Sequence, residues 1–311
     1  MSFKIIGIGE VLWDLLPDGP KLGGAPGNFA FHARALGAHA CVVTRVGDDK
    51  LGRDILQLFE ERGIADGTVQ VDDATPTGTV TVALSEKGIP NYIIHENVAW
   101  DRLAVTQPAL NAIREADAVC FGSLAQRGEI SRTAIQRLVS AAPANSLRVF
   151  DINLRQNYFS REVIEQSLRL ANVLKLNDGE LPILGGMFNL TGSPQQQVEK
   201  LAEKFALQVV ALTRGPAGSL LFSAGQWSDN PSLPIKIVDT IGAGDSFTAG
   251  LVLGLLQKMD LDEINTLADE IARHVCSCVG ATPPLPEKFS KLFAARNEAL
   301  KTSQTIAVKS S

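Results

Sequence analysis

Short apolar runs alternate along this chain with longer stretches whose apolar residues recur every three or four positions. Residues 4–9, 40–46, 118–121, 148–152, 173–176, 209–213 and 219–222 are strand-length runs rich in Val, Ile and Leu. Segments 28–36, 51–62, 108–114, 131–141, 161–170 and 194–205 carry the helical period. Strand and helix in turn predict a parallel sheet with helices on both faces. Ligands of such sheets sit beyond the carboxyl ends of the strands. Polar or glycine-rich clusters follow several of these runs directly. One segment departs from the rhythm. Residues 77–84 and 89–94 alternate with period two around Glu86-Lys87-Gly88, a hairpin signal. With residues 11–22 they predict a small β-flap, either a lid that excludes water or an ordinary edge hairpin.

Length and composition narrow the class. The chain has 311 residues, 45% hydrophobic and 20% charged, which suits a globular protein with a sizeable core. The net charge of −5 and the scattered Lys and Arg argue against a nucleic-acid partner. Residues 3–9 read as a buried strand, and Glu10 and Asp14 interrupt any leader-like apolar run. No stretch approaches the roughly 18 apolar residues of a membrane span. The expectation is a cytoplasmic protein with no membrane partner. The four cysteines, Cys41, Cys120, Cys276 and Cys278, lack zinc spacing and read as thiols in a reducing compartment. The four histidines read as structural or surface groups.

The chemistry concentrates at Asp239-Thr-Ile-Gly-Ala-Gly-Asp-Ser-Phe-Thr-Ala-Gly250. A strand-like run, 235–238, feeds the turn Gly242-Ala243-Gly244, which opens an apolar helix over about 245–256. Bare N–H groups at a helix N-terminus form an anion site. Asp245 beside it could take a proton from a hydroxyl attacking a phosphate, or could simply be an acidic residue in a first turn. Gly23-Gly-Ala-Pro-Gly-Asn28, with Asp14, offers close backbone approach and short polar groups for a polyhydroxylated ligand, or a capped turn. Asp151-Ile-Asn-Leu-Arg155 alternates Asp151, Asn153 and Arg155, with Arg155 able to meet a phosphate. Asn177-Asp-Gly-Glu180 could hold Mg²⁺ through water, or cap a helix. Thr213-Arg-Gly-Pro-Ala-Gly218 could lie along a ring or phosphate, or be a plain turn. Gly7-Ile-Gly-Glu10 lacks the third glycine of a dinucleotide fingerprint, and no P-loop is present.

Together these residues resemble the ribokinase/PfkB family of sugar kinases. Gly23–Ala30, followed by Gly37 and Gly47, is similar to its N-terminal signature, and residues 239–252 to its C-terminal one. The resemblance covers about residues 4–295. It implies a three-layer α/β/α body with a mainly parallel sheet, one domain over 1–300. A β-lid over the sugar would come from about 11–23 and 68–100, with a polar tail at 301–311. It implies transfer of the γ-phosphoryl of ATP, with Mg²⁺, to a sugar hydroxyl. Asp245 would be the base, and Gly242, Ala243 and Gly244 the anion hole. Arg155 would stand near the reacting phosphate. Asp14, Gly24 and Asn28 would bind sugar hydroxyls. Asn177 and Glu180 would order Mg²⁺ and its waters, and Thr213, Arg214, Gly215 and Gly218 would lie along ATP. Asp239 and the Ile241 carbonyl could supply half of a monovalent-cation site. K⁺ activation stays open, because residues 278–284 look shortened against the family.

Gly9-Glu-Val-Leu-Trp-Asp14 and the Asp151–Arg155 run are similar to the fructokinase branch. D-fructose is the first expectation, with 2-keto-3-deoxygluconate, other free sugars and nucleosides as alternatives. A phosphosugar would need extra cations, for which Lys21, Arg102 and Arg127 are the candidates. A sugar-binding regulator without catalysis and a homodimer through the lid remain open.

Overall fold

Adjacent residues of the first strand face opposite ways: Ile5 packs into one apolar cluster and Ile6 into another. Burial on both faces is what a central parallel strand requires. The computed structural model describes residues 2–17, 19–84 and 90–309. The first third contains β1 (Lys4–Ile8), β2 (Leu12–Leu16), β3 (Gly19–Gly23), α1 (Ala25–Ala35), β4 (His39–Gly47) and α2 (Lys50–Glu61). Next come β5 (Val69–Asp72), β6 (Gly78–Leu84), β7 (Pro90–Ile94), α3 (Gln107–Arg114), β8 (Ala118–Phe121) and α4 (Glu129–Ser140). The middle holds β9 (Leu147–Asp151), α5 (Arg161–Leu170), β10 (Val173–Asn177), α6 (Glu180–Phe188), α7 (Pro194–Phe205) and β11 (Val209–Thr213). The chain closes with β12 (Ser219–Ser223), β13 (Gln226–Asn230), α8 (Ala243–Leu256), α9 (Leu261–Cys276) and α10 (Glu287–Lys309).

A nine-stranded sheet runs β13-β12-β11-β10-β9-β8-β1-β4-β5. From β5 to β11 every neighbouring pair is parallel; β12 and β13 turn antiparallel. Helices α3 to α7 bury Ile113, Leu138, Leu168, Leu184 and Leu201 against one face. Helices α1, α2, α8, α9 and α10 bury Phe29, Phe59, Leu251, Ile271 and Phe293 against the other. The expected three layers are therefore present. Local chemistry marks the helix starts. Asp49, Ser160 and Ser193 each accept a backbone N–H of the first turn.

A separate four-stranded sheet, β3-β2-β6-β7, corresponds to the expected flap. The Glu86–Gly88 turn and Ile89 lie outside the described residues. Three sequence expectations need correction. First, 235–238 is not a strand. Pro231 and Pro234 offer no N–H, and the Val238 N–H goes to Cys276 O, so the run is a loop with Ile237 and Val238 exposed. Second, residues 68–77 do not join the flap, because β5 pairs in parallel with β4 and extends the large sheet. Third, α10 continues to Lys309, through the segment expected as a polar tail. No described helix is long and apolar enough to cross a membrane. The four cysteines are free thiols.

Candidate active site

β1 pairs with β4 on one side and β8 on the other, so the chain direction across the sheet reverses there. Beyond the carboxyl ends of the parallel strands lies a cleft of about 1060 Å³, walled by the large sheet's loops, by α8 and by the small sheet. Asp14, Gly24, Asn28, Arg155, Asn177, Thr213, Gly215, Gly218, Ile241 and the Gly242–Asp245 turn all line it. Segments scattered over more than two hundred positions thus converge on one opening.

The turn before α8 explains its glycine. Gly242 is the N-cap with φ 79°, and a Cβ there would stand 2.2 Å from Ala281 O. No side chain caps this helix; its first turn lines the cleft, and the Ala243 N–H turns back to Thr240 O at 3.4 Å. The 278–284 segment backs this turn. His32, fully buried, donates from Nε2 to Ala281 O at 2.9 Å. Burial pushes His32 down to about 4, so its ring stays neutral near pH 7. At the other end, Gly24 has φ 108° and a Cβ would meet Glu10 O at 2.5 Å. That turn starts α1 and delivers Asn28, whose Nδ2 donates to Asp245 Oδ2 at 2.8 Å.

Asp245 keeps partial exposure to the cleft while protein surrounds its carboxylate. Burial and the nearby Asp151 charge raise it to about 6, against the opposing pull of Asn28, Lys175 and Arg155. Burial likewise raises Asp14, with Arg155 opposing.

Two functional groups were not singled out from sequence. Lys175, buried at 6% exposure, donates to Asp151 Oδ1 at 3.1 Å. Thr248 Oγ1 donates to Asp151 Oδ2 at 2.8 Å, tying β9 and β10 to α8. A Cβ on Gly244 would stand 2.9 Å from Lys175 Nζ, so the ammonium lies directly against the glycine turn. Burial works against its charge, but Asp151, Glu180 and Asp245 outweigh it and hold the ammonium above its ordinary range. The available signal was a lone charge inside an apolar strand run, costly unless paired. Glu10 also lines the cleft, and burial raises it to about 7.

Three expected groups stand elsewhere. The Arg214 guanidinium turns to Asp229 Oδ1 at 2.5 Å and Ser219 O, and does not line the cleft. Glu180 accepts N–H groups of Leu154 and Asn177, fixing both strand ends from behind the cleft wall. Asp239 accepts N–H groups of Ile241 and Gly280, joining the two loops. Of the phosphosugar candidates Lys21, Arg102 and Arg127, none lines the cleft. Arg127 is buried in an ion pair with Asp101.

A helix start without a side-chain cap, a held carboxylate and a small sheet over one cleft are the features of a ribokinase-like sugar kinase. A family model described as "pfkB family carbohydrate kinase" matches residues 20–288, and the chain belongs to that family. It is a phosphotransferase acting on an alcohol group. The chain is 30% identical over 294 residues to a fructokinase from Klebsiella pneumoniae, covering 91% of this chain and 94% of that one. An uncharacterized sugar kinase from Pyrococcus horikoshii, solved with ATP, superposes with TM-score 0.74 at 27% identity. The match covers 89% of this chain and 94% of that chain. A fructokinase from Vibrio cholerae O395, solved with fructose, ADP and calcium, shares the fold with TM-score 0.79 at 22% identity. It covers 94% and 99% of the two chains.

Proposed function

We propose that this kinase transfers the γ-phosphoryl group of ATP to a hydroxyl of a free sugar, D-fructose first. The observation that carries the reading is the Asn28–Asp245 hydrogen bond, which joins the glycine loop to the carboxylate at the anion turn. Asp14, Gly24 and Asn28 bind sugar hydroxyls, and Asp245 orients the attacking one. Its proton passes to Asp245 late, as the new P–O bond forms and the bond to ADP breaks. The N–H groups of the Gly242–Gly244 turn hold the developing negative charge, and Lys175 stands behind them. Arg155 meets the transferring phosphoryl. Thr213, Gly215 and Gly218 lie along the nucleotide through backbone, and Arg214 braces that turn.

Mg²⁺ would supply charge neutralisation at the phosphates. The donor set fits an ion carried in on ATP with its waters, since Asn177 Oδ1 and both Glu180 oxygens already accept backbone N–H groups. Among the described residues, no cluster of three or more His, Cys, Asp or Glu could hold a metal alone. Asn177 would face that water shell from the cleft wall, and Glu180 would hold the Asn177 strand end in place behind it.

A cleft lined at the sugar end by Glu10 and Asp14, without the three candidate cations, favours a neutral acceptor over a phosphosugar. The same carboxylates disfavour 2-keto-3-deoxygluconate, which brings its own negative charge. The test is ADP release with Mg-ATP across free sugars, ketodeoxygluconate and nucleosides. Turnover on fructose far above the panel supports the assignment. Turnover on another acceptor keeps the chemistry and removes fructose, and none at all leaves a sugar-binding regulator.

A further inference from the structure

Arg155 sits in a loop with two strained neighbours. Asn153 and Gln156 have φ of 46° and 47°, a region that residues with side chains rarely adopt. The same loop grips the small sheet. Gln156 Nε2 donates to Tyr92 O at 2.6 Å. Tyr158 Oη lies 3.2 Å from Ile94 O and 2.9 Å from Glu96 Oε1. Tyr92 and Ile94 are alternate residues of β7, so their carbonyls lie on one edge of the strand. β7 is the last strand of its sheet, with β6 on its other side. The loop's side chains therefore take the place of a further strand. Tyr158 is itself anchored in the body. Its ring stacks on Arg127, which is packed on Trp100, paired with Asp101 and bonded to His95 O at 2.6 Å.

Between these grips, the Arg155 charge is felt by Asp14 on β2, by Asp245 on α8 and by Glu10. Among the described residues its hydrogen bond runs to the neighbouring Leu154 O, at 3.0 Å, so its position follows the loop.

We propose that Gln156 and Tyr158 are positioning residues that couple the small sheet to Arg155: where β7 lies over the cleft sets where the guanidinium stands. The inference rests on the kinase reading above. A purely structural edge cap would hold the loop without passing through Arg155, and a thermodynamic cycle separates the two.

The experiment begins with sugar-dependent ADP release by the wild type. It then compares kcat and KM for Q156G/Y158F in the wild-type and R155A backgrounds. Glycine suits the φ of position 156, and Tm confirms the fold. The expected result is a fall in kcat of about 10- to 100-fold in the wild-type background, the scale of a misplaced catalytic group. In the R155A background the same pair changes kcat by less than about twofold, because the group it positions is gone. Equal losses in both backgrounds, no loss in either, or an R155A variant with wild-type kcat overturns the coupling and leaves the kinase intact. A wild type that releases no ADP with any acceptor overturns both.

Discussion

Asp245 titrates where burial and Asp151 place it, at about 6 rather than in the ordinary carboxylate range. A base must be unprotonated to act, so kcat/KM is expected to be full above this value. Below it, kcat/KM falls about tenfold per pH unit, as read from the free-enzyme pH profile. A profile flat down to pH 5 would remove Asp245 from that role. The sign for stability is opposite to the usual acidic residue. A carboxyl raised in the folded state costs stability above its folded pKa, and the cost disappears as pH falls below the unfolded value. Asp245→Asn is therefore expected to lose at least about a hundredfold in kcat while Tm holds or rises. Lys175→Met should do the reverse to stability. It leaves Asp151 buried without its ion pair, a loss of roughly 3–5 kcal/mol readable by denaturant unfolding. Asp245 was legible because its motif is local. Lys175 was not, because its meaning comes from Asp151, 24 positions away and on a neighbouring strand.

At the scale of elements, the start of α8 depends on what lies behind it. Gly242→Ala would drive a methyl into Ala281 O and force a residue with a side chain to φ 79°. It is expected to lower both Tm and kcat, kcat by more than about tenfold through the displaced N–H groups. Unchanged kinetics would show that those N–H groups do not hold the phosphoryl charge. The parallel strands were legible because burial on both faces writes continuous apolar runs. The run at 235–238 imitates one, yet Ile235 and Ile237 line the cleft and Val238 is exposed, so none of them enters a core. α6 was hidden by Gly185 and Gly186, and its helix survives because Leu181, Leu184 and Phe188 pack against the body. The reach of Arg214 toward Asp229 on β13 depends on a strand pairing that no local pattern announces.

For the whole molecule, the 278–284 segment is engaged at both the α1 and the 239–241 side. His32 holds Ala281 O, and Asp239 holds the Gly280 N–H. We expect Asp239→Ala to loosen this join and raise the KM for ATP, measured with and without K⁺. An unchanged KM in both conditions would confine Asp239 to loop structure. The edge of the small sheet opposite β7 is β3, and sedimentation at several concentrations tests whether a second copy pairs there. Overall layer order could be read from the alternation alone. The convergence of the cleft could not, since it depends on which strands become neighbours.

Asn28 and Asp245 are 217 positions apart in the chain, yet their hydrogen bond crosses the centre of the site. The helices that carry them, α1 and α8, pack on the same face of the sheet. During synthesis from the N-terminus, α1 can pack on β1 and β4 early, but its contacts with α8 wait until about three quarters of the chain has been made. Activity is thus a late event in the life of each molecule. On refolding from denaturant, helical signal should return before turnover, and the interval between them measures how long this first helix stays a client for chaperones.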